Sequence, residues 1–339
     1  MAFGGGQREL YRANLMLRTA TRVLLRVGDF HARDFEQLRR RASRLAFEDY
    51  IAPGRAVRIT VTCSRSRLRH TGAVAERVHQ AIADRLGREV PVAGPDDSGH
   101  QLVLVRLVHD RCVVSLDASG ALLHQRGWRK AGGKAPLRET LAAGLLLAAG
   151  WDRASPLADP FCGSGTIPIE AALLSRRLAP GRGRRFACQD WPGFDAALAS
   201  RVVAEAEAAA LASGPAIRGS DRDAGAIDAA RANAEAAGVG IDIAFEPRTI
   251  SDFEPPPGTG WIVCNPPYGV RLRGGGDLRD LYARFGAVLR RRCPGWRVAL
   301  LCADPRLLRA SELPLEPRAS WRNGGLKVEV FTGVVPGAA

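Results

Sequence analysis

Ala158-Asp159-Pro160-Phe161-Cys162-Gly163-Ser164-Gly165-Thr166, running on into Ile167-Pro168-Ile169-Glu170-Ala171-Ala172, is the stretch that decides the fold. It reads as a buried strand ending at Asp159, a glycine-rich turn, and a helix opening near Thr166. Neither Gly163 nor Gly165 carries a Cβ, so backbone here can come close to a ligand. The helix that follows offers free N–H groups to the same place. In an open α/β sheet a nucleotide-like cofactor sits there, outside the carboxyl end of the first strand. The missing pieces choose among cofactors. A dinucleotide fingerprint calls for a third glycine where the chain has Pro168, and a phosphate-binding loop calls for Gly-Lys-Ser/Thr where it has Gly165-Thr166-Ile167. A glycine turn preceded by an acid, without a lysine to grip phosphate, suits a cofactor that has no phosphates, and S-adenosylmethionine fits. The candidate contacts are Asp159, Pro160, Phe161, Gly163, Ser164 and Gly165. The plain alternative is a tight strand-to-helix turn that holds nothing.

Outward from this turn, strands and helices alternate. Residues 137–149 read as an apolar helix, the first strand ends at Asp159, and its helix runs to about Leu178. An insertion over 180–215 carries an alanine-rich helix. Further strands are expected at 216–221, 241–245, 261–265 and 297–302, with helices at 224–237 and 278–291 and a closing strand or hairpin at 326–335. That order describes a doubly wound sheet with a late strand pair.

The second strand ends in Asp221, an acid placed to accept both ribose hydroxyl hydrogens; Asp223 suits a helix cap instead. After the third strand, Asp252 could accept from an adenine amine while Phe253 packs on the ring, or the two are a turn acid and a core phenylalanine. The fourth strand delivers Asn265-Pro266-Pro267-Tyr268. Two prolines stiffen the chain and remove two donors, so that carbonyls can face a ligand. Asn265 supplies a carbonyl acceptor, and Tyr268 a flat face for a planar base. These parts suit an exocyclic amine whose nitrogen attacks the methyl of a sulfonium, a reaction in which alignment supplies most of the rate. Asn265, Pro266, Pro267 and Tyr268 are therefore the candidate catalytic residues, Asn265 touching the cofactor as well.

The first part of the chain differs in charge. The net charge is +14, and residues 1–130 hold 23 Lys+Arg against 13 Asp+Glu. A polyanion-binding module there is expected. Strands are read at 21–27, 56–63, 102–108 and 112–116 and helices at 31–47 and 72–86, a compact α+β domain. Between one strand and the next helix, Ser64-Arg65-Ser66-Arg67-Leu68-Arg69-His70 mixes arginines and hydroxyls, apt for phosphate or simply a solvated loop. Arg65, Arg67 and Arg69, together with Arg58, Arg126 and Arg129, are the candidate RNA contacts, the last two lying in a basic linker.

Hydrophobic residues make up 46% and charged residues 25% of the 339 positions, the balance of a soluble globular protein. The longest apolar run, Leu141 to Trp151, is too short to cross a bilayer, and Met1-Ala2-Phe3-Gly4-Gly5-Gly6 lacks a signal-peptide pattern. Seven scattered cysteines form no metal knuckle and suit a reducing compartment. A cytoplasmic protein without metal is expected.

The motifs at 159–166 and 265–268 resemble those of class I S-adenosylmethionine-dependent methyltransferases. Ser115-Leu116-Asp117-Ala118-Ser119-Gly120, Leu123-His124-Gln125-Arg126-Gly127-Trp128-Arg129 and Ala135-Pro136-Leu137-Arg138-Glu139-Thr140-Leu141-Ala142-Ala143 narrow the resemblance. The chain is similar to the THUMP-domain RNA methyltransferases, in particular the bacterial large-subunit rRNA guanine-N2 enzymes. The resemblance implies an α/β, Rossmann-like methyltransferase domain over 137–339, a basic linker over 119–136, and a smaller THUMP/ferredoxin-like RNA-binding region over 1–118. It also implies that Asp221 takes the ribose and Asp252 the adenine, and that the partner is structured RNA, rRNA or tRNA. One Asn-Pro-Pro-Tyr implies one activity. The rivals are an adenine-N6 methyltransferase on RNA or DNA and a non-catalytic RNA-binding assembly factor.

Overall fold

The computed structural model describes residues 1–94, 97, 99–130, 137–268, 278–323 and 325–337. The chain divides into two units, Met1–Leu123 with Gly183–Ala204, and His124–Arg182 with Glu205–Ala339.

In the first unit the elements are α1 (Gln7–Met16), β1 (Leu24–His31), α2 (Phe35–Ala42), β2 (Val57–Ser64), α3 (Thr71–Leu86), β3 (Gln101–Val108) and β4 (Arg111–Asp117). The four strands pair in the order β1-β4-β3-β2. β2 and β3 run parallel, joined by α3 as a crossover, and the other pairs are antiparallel. Alternation explains β3, whose residues are buried in turn at Gln101, Val103, Val105 and Leu107. α3 is closed at both ends. The His70 ring nitrogen Nδ1 accepts the Ala73 N–H at 3.0 Å, and Gly87 takes the left-handed conformation at φ 60°. The expected helix at 31–47 shrinks to α2 because the Asp34 carboxylate, accepting the Gln37 N–H at 2.8 Å, caps it late. α1 lies where no element was expected.

This topology corrects the ferredoxin-like expectation. A ferredoxin-like unit runs β-α-β-β-α-β, whereas here the order is β-α-β-α-β-β after α1, with one parallel pair.

The domain boundaries also move. Residues 183–204 were expected inside the second domain and belong to the first unit. Long-range hydrogen bonds hold them there. The Trp191 indole donates to Gln101 Oε1 at 2.7 Å, the Cys188 N–H to the Ala118 carbonyl at 3.1 Å, and the Asp195 N–H to the Tyr11 hydroxyl at 3.0 Å.

The second unit holds α4 (Glu139–Ala149), β5 (Leu157–Asp159) and α5 (Thr166–Ser175); α6 (Ala196–Ala208) straddles the division of the chain. There follow β6 (Ile217–Asp221), α7 (Ala224–Ala236), β7 (Ile243–Pro247), β8 (Trp261–Cys264), α8 (Leu278–Arg292), β9 (Arg297–Cys302), α9 (Pro305–Ser311), β10 (Leu315–Asn323) and β11 (Leu326–Val334). Seven strands pair in the order β10-β11-β9-β8-β5-β6-β7. β5 to β9 are parallel, and β11 and β10 close the edge antiparallel. The late strand pair is as expected, although β10 and α9 carried no sequence signal. β5 and β8 are buried at every position, so they read as short apolar runs without alternation. The chain winds from β5 through β6 to β7, then returns to place β8 on the other side of β5. The strand order reverses between β5 and β8, and this is where such sheets open a binding crevice.

Residues 119–130, expected as linker, are not a solvated connector. Ala118 and Ser119 are fully buried in the first unit, and Trp128 is part of the core of the second. The remaining linker positions, 131–136, lie outside the described residues.

Candidate active site

The turn after β5 is built by backbone hydrogen bonds that need its particular residues. Asp159 Oδ1 accepts the Phe161 N–H at 3.0 Å, and the Cys162 N–H donates to the Ser220 carbonyl at 3.0 Å. Gly163 and Gly165 both lie in the left-handed region, at φ 52° and 84°. Gly165 is also required by packing. A Cβ there would stand 3.0 Å from Ala230 Cβ and from Phe245 Cζ. It lets α5 start close against α7 and β7, and it lies behind the cavity lining, between Ser164 and Thr166 that form part of it.

The cavity beside this turn has a volume of about 730 Å³, the size of a nucleoside-bearing ligand. From the expected set, Asp159, Pro160, Phe161, Gly163, Ser164 and Asp221 line it, and Asn265 and Pro267 close it from the β8 side. Asp159 is almost fully buried. Burial pushes its carboxyl well above the ordinary range; the Phe161 N–H opposes the shift and the neighbouring Asp221 charge adds to it. Asp221 is more open. One of its oxygens accepts the Gly163 N–H at 3.1 Å and the other the Asp223 N–H at 3.0 Å, so each keeps a lone pair for a hydroxyl. Asp223 caps α7 by accepting from Gly225 at 2.9 Å. Cys162 lines the cavity, but burial drives its thiol far up, which makes it an inert wall.

Beyond β8, Asn265 Oδ1 is buried and has no hydrogen-bond partner among the described residues. Pro266 is buried and does not line the cavity. The Pro267 carbonyl accepts from the Tyr282 hydroxyl at 3.4 Å, which fixes the loop from beneath. Tyr268 also lies off the cavity lining. It is half-buried against both apolar clusters of this unit, and its hydroxyl accepts from Asn323 Nδ2 at 3.2 Å.

Two further expected contacts lie off the lining. Phe253 is only 1% exposed and belongs to the core with Phe285 and Ile262. Asp252 points at its own turn, where Oδ2 accepts from the Thr249 hydroxyl at 2.7 Å, and neither residue lines the cavity. The wall at this place is the Arg248–Ser251 turn itself. Leu137, Thr166, Ile167, Arg222 and the Asp280, Leu281 and Arg284 face of α8 complete the lining. The α8 residues follow i, i+4 spacing on one helix face, but the sequence alone gives no sign of what that face meets. The turn after β7 was findable, because it leaves the strand next to Asp221.

Among the candidate RNA contacts, Arg65, Arg67 and Arg69 are exposed, with Arg65 in the left-handed region at φ 50°. Arg58 donates to the Gly94 carbonyl. Arg126 is 5% exposed and pairs with Glu170 at 3.2 Å inside the second unit, so it is no RNA contact. Arg129 is likewise turned inward. Its guanidinium is spent on Glu139, Ser164, Thr166 and the Leu137 carbonyl.

A parallel sheet ending in an antiparallel pair, with a glycine turn after the first strand and Asn-Pro-Pro-Tyr after the fourth, defines a class I methyltransferase. The chain belongs to the RMKL-like methyltransferase family, whose methyltransferase-domain profile matches residues 126–327. It is 36% identical to the Synechocystis sp. protein slr0064, provisionally named an RNA methyltransferase, over 96% of this chain and 86% of that one. It is 35% identical to the ribosomal RNA large subunit methyltransferase K/L of Syntrophotalea carbinolica over 97% of this chain and 48% of that one. The chain thus spans about half the length of the K/L enzymes that it matches. Among solved structures it is similar to SMU.472, provisionally described as a methyltransferase and solved with SAH. That likeness has a TM-score of 0.85 and 30% identity, over 99% of this chain and 89% of that one.

Proposed function

We propose that the protein transfers a methyl group from S-adenosylmethionine to the exocyclic N2 amine of a guanosine in structured RNA, with 23S ribosomal RNA in the cytoplasm as substrate. The cavity fits the donor. Its volume suits a nucleoside, Asp221 offers lone pairs to ribose hydroxyls, and the start of α5 at Thr166 gives N–H groups to a carboxylate. When bound, S-adenosylmethionine supplies an electrophilic methyl on a sulfonium.

The observation that carries the reading is Asn265 Oδ1, an acceptor buried without a partner among the described residues. A buried carbonyl oxygen left unpaired is costly, and a site that keeps one is set to receive a donor. An exocyclic amine is such a donor. Accepting one amine hydrogen, Asn265 turns the nitrogen lone pair out of conjugation and toward the methyl. As the N–C bond forms, the S–C bond breaks; the amine's second hydrogen then leaves as a proton to water, and SAH remains. Alignment does the work, so no side-chain base is needed. The guanine is held unpaired or flipped out, since its N2 is engaged in a base pair otherwise.

RNA docking is assigned to residues 1–118 as a THUMP-type region. The charge excess of residues 1–130 supports this, as do the exposed Arg65, Arg67 and Arg69 beyond β2. The name of the Syntrophotalea relative supports rRNA as the target.

The test is transfer from methyl-labelled S-adenosylmethionine to 23S rRNA, tRNA and DNA, followed by mass spectrometry of the nucleosides. N2-methylguanosine in the rRNA is expected. N6-methyladenosine, or label confined to tRNA or DNA, overturns the substrate assignment, and donor binding without transfer to any of them overturns catalysis.

A further inference from the structure

The segment 126–130 carries three cations, of which Arg126 and Arg129 face inward and Lys130 is exposed, and what Arg129 holds is the cofactor turn. We propose that Arg129 is a positioning residue for the methyl donor, locking the Gly163–Thr166 turn in its binding shape. The inference rests on assigning the cavity to S-adenosylmethionine.

Arg129 uses its guanidinium as a fork. Nε donates to Glu139 Oε1 at 2.9 Å, Nη1 to Ser164 Oγ at 3.1 Å, and Nη2 to Thr166 Oγ1 at 2.9 Å and to the Leu137 carbonyl at 3.2 Å. Its Cζ stands 5.1 Å from the centre of the Trp128 ring, which fixes the plane of the fork. Ser164 is held from its other side as well. Asn233, fully buried on α7, accepts the Lys130 N–H at 2.9 Å through Oδ1 and donates to the Ser164 carbonyl at 3.2 Å through Nδ2. Serine 164 is therefore tied at its side chain by one residue of the segment and at its backbone through the next.

The turn needs such ties. Ser164 stands between two glycines, the residues with the most backbone freedom to lose. Ser164, Thr166 and Leu137 line the cavity, and Arg129 does not, so Arg129 acts on the donor through them. Glu139 balances its charge at 2.9 Å, which makes Arg129 a brace and not the counter-ion of the donor's carboxylate. Lysine cannot reproduce the arrangement, because a single ammonium lacks the planar fork.

The experiment measures donor affinity and RNA affinity separately in the full chain, for Arg129→Lys and for Thr166→Val. Thr166→Val leaves the Arg129–Glu139 pair intact and guards against a variant that fails to fold. The loss of charge-assisted hydrogen bonds is expected to raise the S-adenosylmethionine dissociation constant about tenfold in Arg129→Lys, and by less in Thr166→Val. In Arg129→Lys, turnover at saturating donor and RNA affinity measured without donor are expected to hold. The two substitutions together are expected to cost less than the product of their separate effects, because they break the same bond. Unchanged donor affinity in both variants, independent effects, or a loss confined to RNA binding overturns the proposal. A wild-type protein that does not bind S-adenosylmethionine overturns the cavity assignment itself, which separates the two failures.

Discussion

Asn265→Ala separates catalysis from stability in opposite directions. Asn265 Oδ1 is buried without a partner among the described residues, and an unpaired buried carbonyl costs the fold about 1–3 kcal/mol. Alanine removes that cost together with the packing of a short polar side chain. The variant is therefore expected to be as stable as the wild type or more so. For a domain of this size each kcal/mol moves Tm by roughly 2–4 °C, so a rise of up to about 12 °C is the upper limit. Turnover moves the other way. The amine hydrogens gain positive character as the N–C bond forms, so the bond to Oδ1 strengthens in the transition state. Losing one group aimed at developing charge costs about 10²–10³ in rate. The assay is single-turnover methyl transfer at saturating donor, beside calorimetric donor binding and a melting curve. Near-normal transfer would remove Asn265 from the acceptor site. A fall of several degrees in Tm would show that its carbonyl already has a partner.

Three further outcomes follow from the geometry. Asp221→Asn is expected to weaken donor binding by about 1.5–3 kcal/mol through loss of charged hydrogen bonds, read by calorimetry; equal affinity takes Asp221 out of the site. Asp159 stabilises the fold while neutral, because folding raises its pKa. That contribution is complete below the unfolded carboxylate value of about 4 and is lost as pH rises through the raised folded value. Asp159→Asn should flatten this decline in urea unfolding, and an equally deep decline in the variant assigns it to another group. Arg126→Ala should cost about 3–5 kcal/mol, since it strands the buried Glu170 charge, while Arg126→Met with Glu170→Leu recovers most of it. A weaker hold on RNA at an unchanged urea midpoint would return Arg126 to the RNA surface.

What was legible in the sequence is what backbone geometry forces on residue choice. The turn after β5 needs glycines at positive φ, and the loop after β8 is stiffened by its prolines, so both announce themselves within a few positions. Charge does not announce its direction. Arg126 and Arg129 look like any basic linker because their acids are 44 and 10 residues away, at Glu170 and Glu139. The same distance hid the affiliation of 183–204, whose Trp191 bonds to Gln101 across 90 residues. Phe253 failed differently: an aromatic after a strand serves a ligand or a core equally well in sequence, and here the core took it.

The site draws its two functions from the two strands that meet at the reversal of the sheet. β5 and β8 are parallel neighbours, with Leu157 opposite Trp261 and Ala158 opposite Ile262. Neighbouring strands lie about 4.8 Å apart, a spacing set by backbone hydrogen bonds and not by side chains. Asp159 leaves the sheet one residue after the Ala158–Ile262 pair, and Asn265 three residues after it. The loop proposed to cradle the donor and the loop proposed to hold the amine are thus anchored side by side on fully buried strands. For a transfer whose rate depends on alignment, that anchoring supplies the rigidity.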